Sequence, residues 1–340
     1  MNLMDLNKNS PMKISKVLIT GVAGSGGSYL AEYITKNHPD VKIHGLAYSR
    51  STRINLEDLG GKIIHHEADL MDFSSVFSTL NKVQPDAIFH LAAYANVRAS
   101  FHTPNTFLSN NILGTSNLFE AIKAARLDPI IQLASTSEVY GQVDPKDVPI
   151  KESAPLKPVS PYAVSKSTQD LLGWSYFISY KMRIIRTRMF TYLNPRRSDL
   201  FASSFAKQIA WIEHGLQKEL AHGNLESVRT IIDMRDAMQA YWLSILHCFS
   251  GEAYNIGGTV PIKVGDFLRG LIAMSSVTIK TYCDPHLLRP ADVTLQIPCI
   301  DKFTERTGWK QKYTLEESMT DLLKYWRKKA NEEVQRRSMA

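Results

Sequence analysis

The sequence predicts an α/β fold: a doubly wound parallel sheet joined to a smaller, discontinuous C-terminal domain. Three observations predict it: an apolar run ending in a glycine-rich turn, a repeated alternation of strand-like and helix-like stretches, and a change of rhythm after Phe190. Lys16 to Thr20 (KVLIT) is short, apolar and rich in β-branched residues, and it runs directly into GVAGSGG, as a buried strand feeding a helix does. The alternation then recurs. VKIHGLAY (41–48) precedes a polar helix-like stretch, GKIIHHEADL (61–70) precedes SSVFSTLNKV, and DAIFHLAA (86–93) precedes an amphipathic stretch from Thr106 to Ala125. Further strands are predicted at Pro129 to Ala134 and Arg183 to Arg188. Strands alternating with helices pair in parallel through right-handed crossovers, with helices covering both faces of the sheet.

After Phe190 the order becomes helix (FASSFAKQIAWIEHG), loop (GNLESVRT), helix (DAMQAYWLSILHCF), strand (AYNIGG) and a mixed stretch to Trp326. The predicted division is a cofactor domain over 14–190 with a return near 230–258, and a substrate domain over 191–229 and 259–328. Residues 1–13 and 329–340 are predicted to be flexible ends.

At 340 residues, 44% hydrophobic and 21% charged, the chain can bury one large core or two joined ones. No apolar run is long enough to span a bilayer, and the start, MNLMDLNKNSPMKISK, lacks a signal peptide's apolar core, so a cytoplasmic protein with no membrane partner is expected. Cys248, Cys283 and Cys299 have no metal-ligand spacing and read as free thiols, and no metal is expected. Part of the +7 net charge sits in the tail on Arg327, Lys328, Lys329, Arg336 and Arg337, and the rest is scattered. That distribution favours small anions over nucleic acid.

Gly21, Gly24 and Gly27 form G-x-x-G-x-x-G between a predicted strand and a predicted helix. Such a turn lets backbone approach a pyrophosphate, whose charge is met by the unpaired N–H groups of the helix, so the sheet is expected to be Rossmann-type. The end of the second strand selects the cofactor. An NAD site places a carboxylate there for the ribose 2′-hydroxyl, whereas this chain has Ser49, Arg50, Ser51 and Arg53, which suit a 2′-phosphate. NADP is therefore expected. Asp69 and Leu70, after the third strand, are placed to meet the adenine.

Tyr162 and Lys166 stand four apart after Ser160-Pro161, a helix start, and so share a face. An adjacent ammonium is expected to lower the phenol's pKa so that it exchanges a proton with a substrate alcohol while a hydride moves to nicotinamide. The strand from Pro129 ends in Ser135, Thr136, Ser137 and Glu138. Thr136 is placed to bind the same oxygen as Tyr162. Glu138 is the informative residue, because oxidising an alcohol needs no carboxylate, whereas removing a proton beside the new ketone needs a base.

With TGVAGSGGSYL, HLAAYANVRASF, STSEVYG, PYAVSK and the late Arg289-Pro290 pair in order, the chain resembles nucleotide-sugar-modifying extended short-chain dehydrogenases from about Lys16 to Trp326. Within that group it looks most like the GDP-mannose 4,6-dehydratases. The resemblance implies that Thr136, Glu138, Tyr162 and Lys166 carry catalysis. Tyr162 deprotonates the C4 hydroxyl as hydride passes to NADP+, Glu138 takes the C5 proton, water leaves from C6, and the hydride returns to C6. It further implies that Lys166 holds the nicotinamide ribose, that Leu91, Ala92 and Ala93 lie on the cofactor side, and that Asn111 shapes a helix.

For the nucleotide-sugar substrate, a GDP-hexose or GDP-heptose, the implied residues are Ser137, Lys207, Asn224, Arg196, Arg197, Arg229 and Arg289; arginine forks suit phosphate oxygens. One departure bears on substrate identity: the family's F-N-H is Phe190-Thr191-Tyr192 here. The stretch from FAKQIAWIEHG to MRDAMQAYW also looks like GDP-4-keto-6-deoxymannose reductases. The alternatives are therefore a keto-reductase, a 4-epimerase and, outside enzymes, an NADP-sensing binding protein. A homodimer through the helices from Thr106 and Tyr162, or a homotetramer that also uses the loop from Ser49, is implied.

Overall fold

The computed structural model describes residues 13–48 and 51–338. The expectations for Ser49 and Arg50, and for the ends at 1–12 and 339–340, lie outside the described residues. The first half runs β1 (Lys16–Thr20), α1 (Ser25–Asn37), β2 (Lys42–Ala47), β3 (Ile63–Glu67), α2 (Phe73–Val83), β4 (Ala87–His90), α3 (Val97–His102), α4 (Pro104–Leu108), α5 (Gly114–Ala124), β5 (Ile130–Thr136), α6 (Pro161–Tyr180) and β6 (Ile184–Met189). The second half runs β7 (Thr191–Leu193), α7 (Phe201–Glu213), β8 (Leu220–His222), β9 (Val228–Asp233), α8 (Met234–His247), β10 (Ala253–Ile256), β11 (Pro261–Lys263), α9 (Val264–Ala273), β12 (Thr281–Cys283), β13 (Leu295–Gln296), α10 (Asp301–Thr307) and α11 (Leu315–Ser338).

The seven-stranded sheet has the order β10-β6-β5-β4-β1-β2-β3, and every pairing in it is parallel. β4 and β6 are buried along their whole length, as a sheet covered on both faces requires. Chain order reverses between β1 and β4, so the carboxyl ends of these strands open a crevice at the switch point. Local sequence starts the key helix as expected: Ser160 Oγ accepts from Ala163 N at 3.1 Å, and Pro161 occupies the first turn of α6.

The smaller domain packs α7, α9 and α11 around Phe205, Phe267, Leu322 and Leu323. Its sheet runs β11-β9-β13, with β7 also on β9. Three expectations are corrected here. GNLESVRT, read as a loop, contains the first residues of β9, whose apolar content is masked by Arg229 and Thr230. Residues 300–309, assigned to the substrate domain, return to the first core, where Ile300, Phe303 and Trp309 pack with Tyr254 and Trp242. From 329 the tail continues α11 to Ser338, with Ala330 fully buried.

α6 is pinned to the sheet by a buried ion cluster. Asp170 accepts from Arg186 Nη1 at 2.9 Å and from Arg188 Nε and Nη2 at 2.9 and 3.0 Å. Burial alone pushes the Asp170 carboxyl up, but Arg188 and Arg186 outweigh it and hold the group below the usual carboxylate range. Its stabilisation is therefore present above about pH 4 and is lost as pH falls through the lower folded value. Asp170→Asn leaves two guanidinium groups facing a neutral amide and is expected to destabilise the fold by about 3–5 kcal/mol, read by urea unfolding at neutral pH. The difference from wild type should shrink when the titration is repeated in acid.

Candidate active site

A cleft of about 500 Å³ opens at the carboxyl ends of β1, β4, β5 and β6, with the second domain as its far wall. Gly21, Gly24 and Gly27 form its floor on one side, and Thr136, Ser137, Glu138, Tyr162 and Lys166 line it on the other.

The glycines are required by space. Gly21 has φ +69°, and a Cβ there would stand 2.8 Å from Ala92 Cα. A Cβ on Gly27 would stand 2.3 Å from the Gly21 carbonyl oxygen. Gly24 caps α1 without a side-chain bond, and the helix has no acidic residue in its first turn, so its N–H groups face the cleft free of a competing carboxylate. This cradle fits a dinucleotide pyrophosphate. Asn55 Nδ2 braces the turn by donating to Ala23 O at 3.0 Å. Behind it, the His90 ring bridges Thr20 Oγ1 and Thr115 Oγ1, each at 2.8 Å, and burial pushes its pKa down to about 3, so the neutral imidazole serves as both donor and acceptor. Asn111 sits in a π-helical turn over Ser109–Leu113, where it accepts from Tyr94 N at 2.8 Å and donates to Ser165 Oγ at 2.9 Å.

Leu91 and Ala93 line the cleft, but Ala92 lies behind the turn, with its N–H on Thr20 Oγ1 at 3.2 Å. Asp69 accepts from Met71 N at 2.9 Å, Leu70 is buried against Gly114, and neither lines the cleft. Arg53 is exposed at the start of a 3-10 turn over Ile54–Leu59.

Thr136 ends β5, and its Oγ1 accepts from Glu138 N at 3.3 Å, which turns the Glu138 side chain into the cleft. Burial pushes the Tyr162 phenol above its ordinary range, opposed by a hydrogen bond with Thr136 and by the charge of Arg197. Lys166, one turn along α6, donates to Ala134 O at 2.5 Å, and burial lowers its ammonium to about 8. This corrects the expectation that Lys166 lowers the phenol. In the free site the lysine gives one N–H to the strand carbonyl and burial outweighs the groups that favour phenolate, among them Arg197, itself held by Asp199 at 2.6 and 2.7 Å and Ala95 O at 3.1 Å.

Of the other predicted substrate residues, Ser137, Arg229 and Arg289 line the cleft. Arg229 Nη1 donates to Val228 O at 2.9 Å and Nη2 to Val293 O. Arg196, Lys207 and Asn224 do not line it. Arg196 bonds Ser28 Oγ at 2.7 Å and Glu32 and stacks on Tyr29; Lys207 lies over Trp211 and Trp326; Asn224 donates to Asp292 Oδ2 at 3.0 Å. Lys207 and Asn224 brace the second domain, and Arg196 ties the loop after β7 to α1. Sequence reading missed Gln296, Tyr241 and Asn194, which do line the cleft.

The depressed Lys166 pKa carries a signed consequence. Below about pH 8 the folded protein holds an ammonium its surroundings disfavour, and that penalty is relieved as pH rises from about 8 toward the unfolded value. Lys166→Met is therefore expected to stabilise the fold by about 2 kcal/mol at neutral pH while abolishing activity, and thermal unfolding above pH 9 should show the gain shrinking.

Comparison with known proteins agrees with this geometry. The family model described as GDP-mannose 4,6 dehydratase matches residues 18–322. The chain is 28% identical to the GDP-6-deoxy-D-mannose reductase of Pseudomonas aeruginosa, over 94% of this chain and 99% of that one. It is equally 28% identical to the GDP-mannose 4,6-dehydratase of Yersinia enterocolitica, over 91% and 93% respectively. Among solved structures, RMD from P. aeruginosa complexed with NADPH superposes with a TM-score of 0.79 at 26% identity, covering 93% of this chain and 99% of that one. The UDP-glucose 4-epimerase of Thermotoga maritima shares the fold, with a TM-score of 0.82 at 23% identity over 92% and 99%. Since the family match runs from the first strand, through the glycine cradle and the tyrosine–lysine helix, into the second domain, the chain belongs to the GDP-mannose 4,6-dehydratase family.

Proposed function

We propose that the protein is an NADP-dependent nucleotide-sugar 4,6-dehydratase acting on GDP-mannose or a GDP-manno-heptose. The observation that carries the reading is the Glu138 carboxylate, in the same cleft as Thr136 and Tyr162. The NADPH bound to the P. aeruginosa relative and the cradle described above support NADP as cofactor. Bound NADP supplies reversible hydride exchange with the sugar. The side chains supply the proton chemistry. Tyr162, with Thr136 on the same oxygen, takes the proton of the C4 hydroxyl. Once C4 is a ketone, Glu138 removes the acidified C5 proton and passes it to the C6 hydroxyl, which leaves as water. Burial favours the protonated phenol in the free site, so Tyr162 must lose its proton, helped by the Thr136 hydrogen bond and the Arg197 charge, before it takes the one from the C4 hydroxyl.

A keto-reductase is the second reading, favoured by the P. aeruginosa relative. A 4-epimerase has only the shared fold behind it, and a cofactor sensor has no need of the Tyr162–Lys166 pair that faces the cleft. Redox accounting separates the enzymes. A dehydratase forms a 4-keto-6-deoxy sugar without consuming NADPH, and a reductase oxidises one NADPH per product.

For assembly we propose a homodimer. Val164, Leu171, Trp174 and Ile178 are exposed at helical spacing along α6, an apolar face that a second copy would cover. Among the described residues no helix is long and apolar enough to cross a membrane, and we propose a cytoplasmic setting.

Two expected outcomes test these readings. Glu138→Gln should oxidise C4 and stop, so that reduced nicotinamide absorbance builds up and no solvent deuterium enters at C5, while Tyr162→Phe should show neither signal; dehydration at the wild-type rate by the Glu138 variant would remove Glu138 as the C5 base, and no 4-keto-6-deoxy product from the wild type would remove the lyase reading. Light scattering should report a dimer for the wild type and a monomer for the Leu171→Asp, Trp174→Asp double variant.

A further inference from the structure

One wall of the cleft comes from a segment that the proton chemistry above does not use. β13 is two residues long, yet residues 294–299 are tied to both domains. Leu295 and Gln296 pair in register with Val228 and Arg229 of β9. On the other side, Thr294 N and Oγ1 donate to Gln142 Oε1 at 2.7 and 3.1 Å. Ile150 N donates to Ile297 O at 2.7 Å, and Cys299 N donates to Ile150 O at 2.8 Å. The strap has little freedom to move its side chains relative to β5 or β9.

Gln296 is 3% exposed, and its Nε2 lies 3.5 Å from Glu138 Oε1. An ionised carboxylate only accepts, so the amide must meet it through N–H. The separation is at the long end for such a bond, and catalytic contacts of this kind tighten when substrate fills a site. The charged and titratable groups around Glu138 are few. Tyr162 faces it from α6, and Arg229 faces it from β9, with Arg289 and Asp292 beside Arg229. Arg229 is committed to two carbonyls, so the directed donor to the carboxylate is the amide.

We propose that Gln296 is a positioning residue for Glu138, its amide N–H holding one carboxylate oxygen in the ionised form while the second takes the substrate proton. This rests on the dehydratase reading. Hydrogen bonding to the ionised form favours that form, so removing the donor should make the carboxylate harder to ionise. A residue that merely filled the wall would alter packing without moving a titration.

The test compares Gln296→Leu and Gln296→Glu with wild type. In Gln296→Leu the acid limb of the kcat profile should move up by about one pH unit, with kcat down about tenfold at neutral pH and KM within about twofold. Gln296→Glu places a second carboxyl against the first and should move the limb further. The Glu138 carboxyl is followed independently in the free enzyme by infrared difference titration, using Glu138→Gln as the blank. An acid limb and a carboxyl titration in Gln296→Leu that overlay those of wild type overturn the proposal. Should wild type form no 4-keto-6-deoxy product, the dehydratase reading falls, and the free-enzyme titration still decides the role of Gln296. If the leucine variant does not fold, Gln296→Met, which keeps the side-chain length without an N–H donor, carries the same titration.

Discussion

The close seating of α6 on the parallel sheet is the constraint on which the cleft depends. A Cβ at Gly173 would stand 2.8 Å from Leu133 Cδ2 and 3.2 Å from Ile184 Cγ2, so the helix lies as near β5 and β6 as backbone allows. Asp170 then reaches Arg186 and Arg188 on β6, and Ser165 reaches Asn111 in the π-helical turn. Tyr162 and Lys166 are carried on this same helix, so their approach to Thr136 and Ala134 is set by packing several residues away. A helix held at three points delivers its side chains with little reorganisation, which is what a proton relay to one sugar oxygen requires.

That seating also explains the electrostatics. Burial raises the phenol and lowers the ammonium, so both groups are biased toward their neutral forms before any ligand arrives. The carboxylate side of the cleft differs, because Glu138 stands on a turn at the strand end, facing an arginine and an amide from the second domain. One site thus biases its phenol toward the protonated form by burial and sets its carboxylate against an amide N–H from the second domain, two different surroundings for the two groups.

The elements legible in the sequence were those whose signal is local. The glycine cradle, the strand run from Lys16 and the Ser160-Pro161 helix start each lie within a few residues and fold as read. Tyr162 and Lys166 were legible because i, i+4 fixes a shared face. Arg196, Lys207 and Asn224 do not line the cleft because long or polar side chains choose partners by tertiary proximity: Arg196 finds Glu32, 164 residues away in sequence. Lys207 is taken by two indole rings and Asn224 by Asp292. The phenol's pKa was misjudged for a related reason, since spacing on a helix shows that an ammonium is near but not how far burial outweighs it. Gln296 had no sequence signal, as a two-residue strand has no period and its partner Glu138 lies 158 positions away.

The same distance bears on how one fold hosts dehydratases and reductases. Tyr162, Thr136 and Lys166 all come from the first domain, and alcohol–ketone exchange needs nothing more of the protein. Elimination adds a base whose carboxylate must be aimed, and under the proposal for Gln296 that condition is met from across the domain boundary by β13. A glutamate at this turn is therefore not sufficient by itself for a lyase. Under the proposal for Gln296, its surroundings in the second domain separate a base at C5 from a spectator to hydride exchange. Those surroundings are residues 228–229 and 294–299, where the second domain closes over the end of β5.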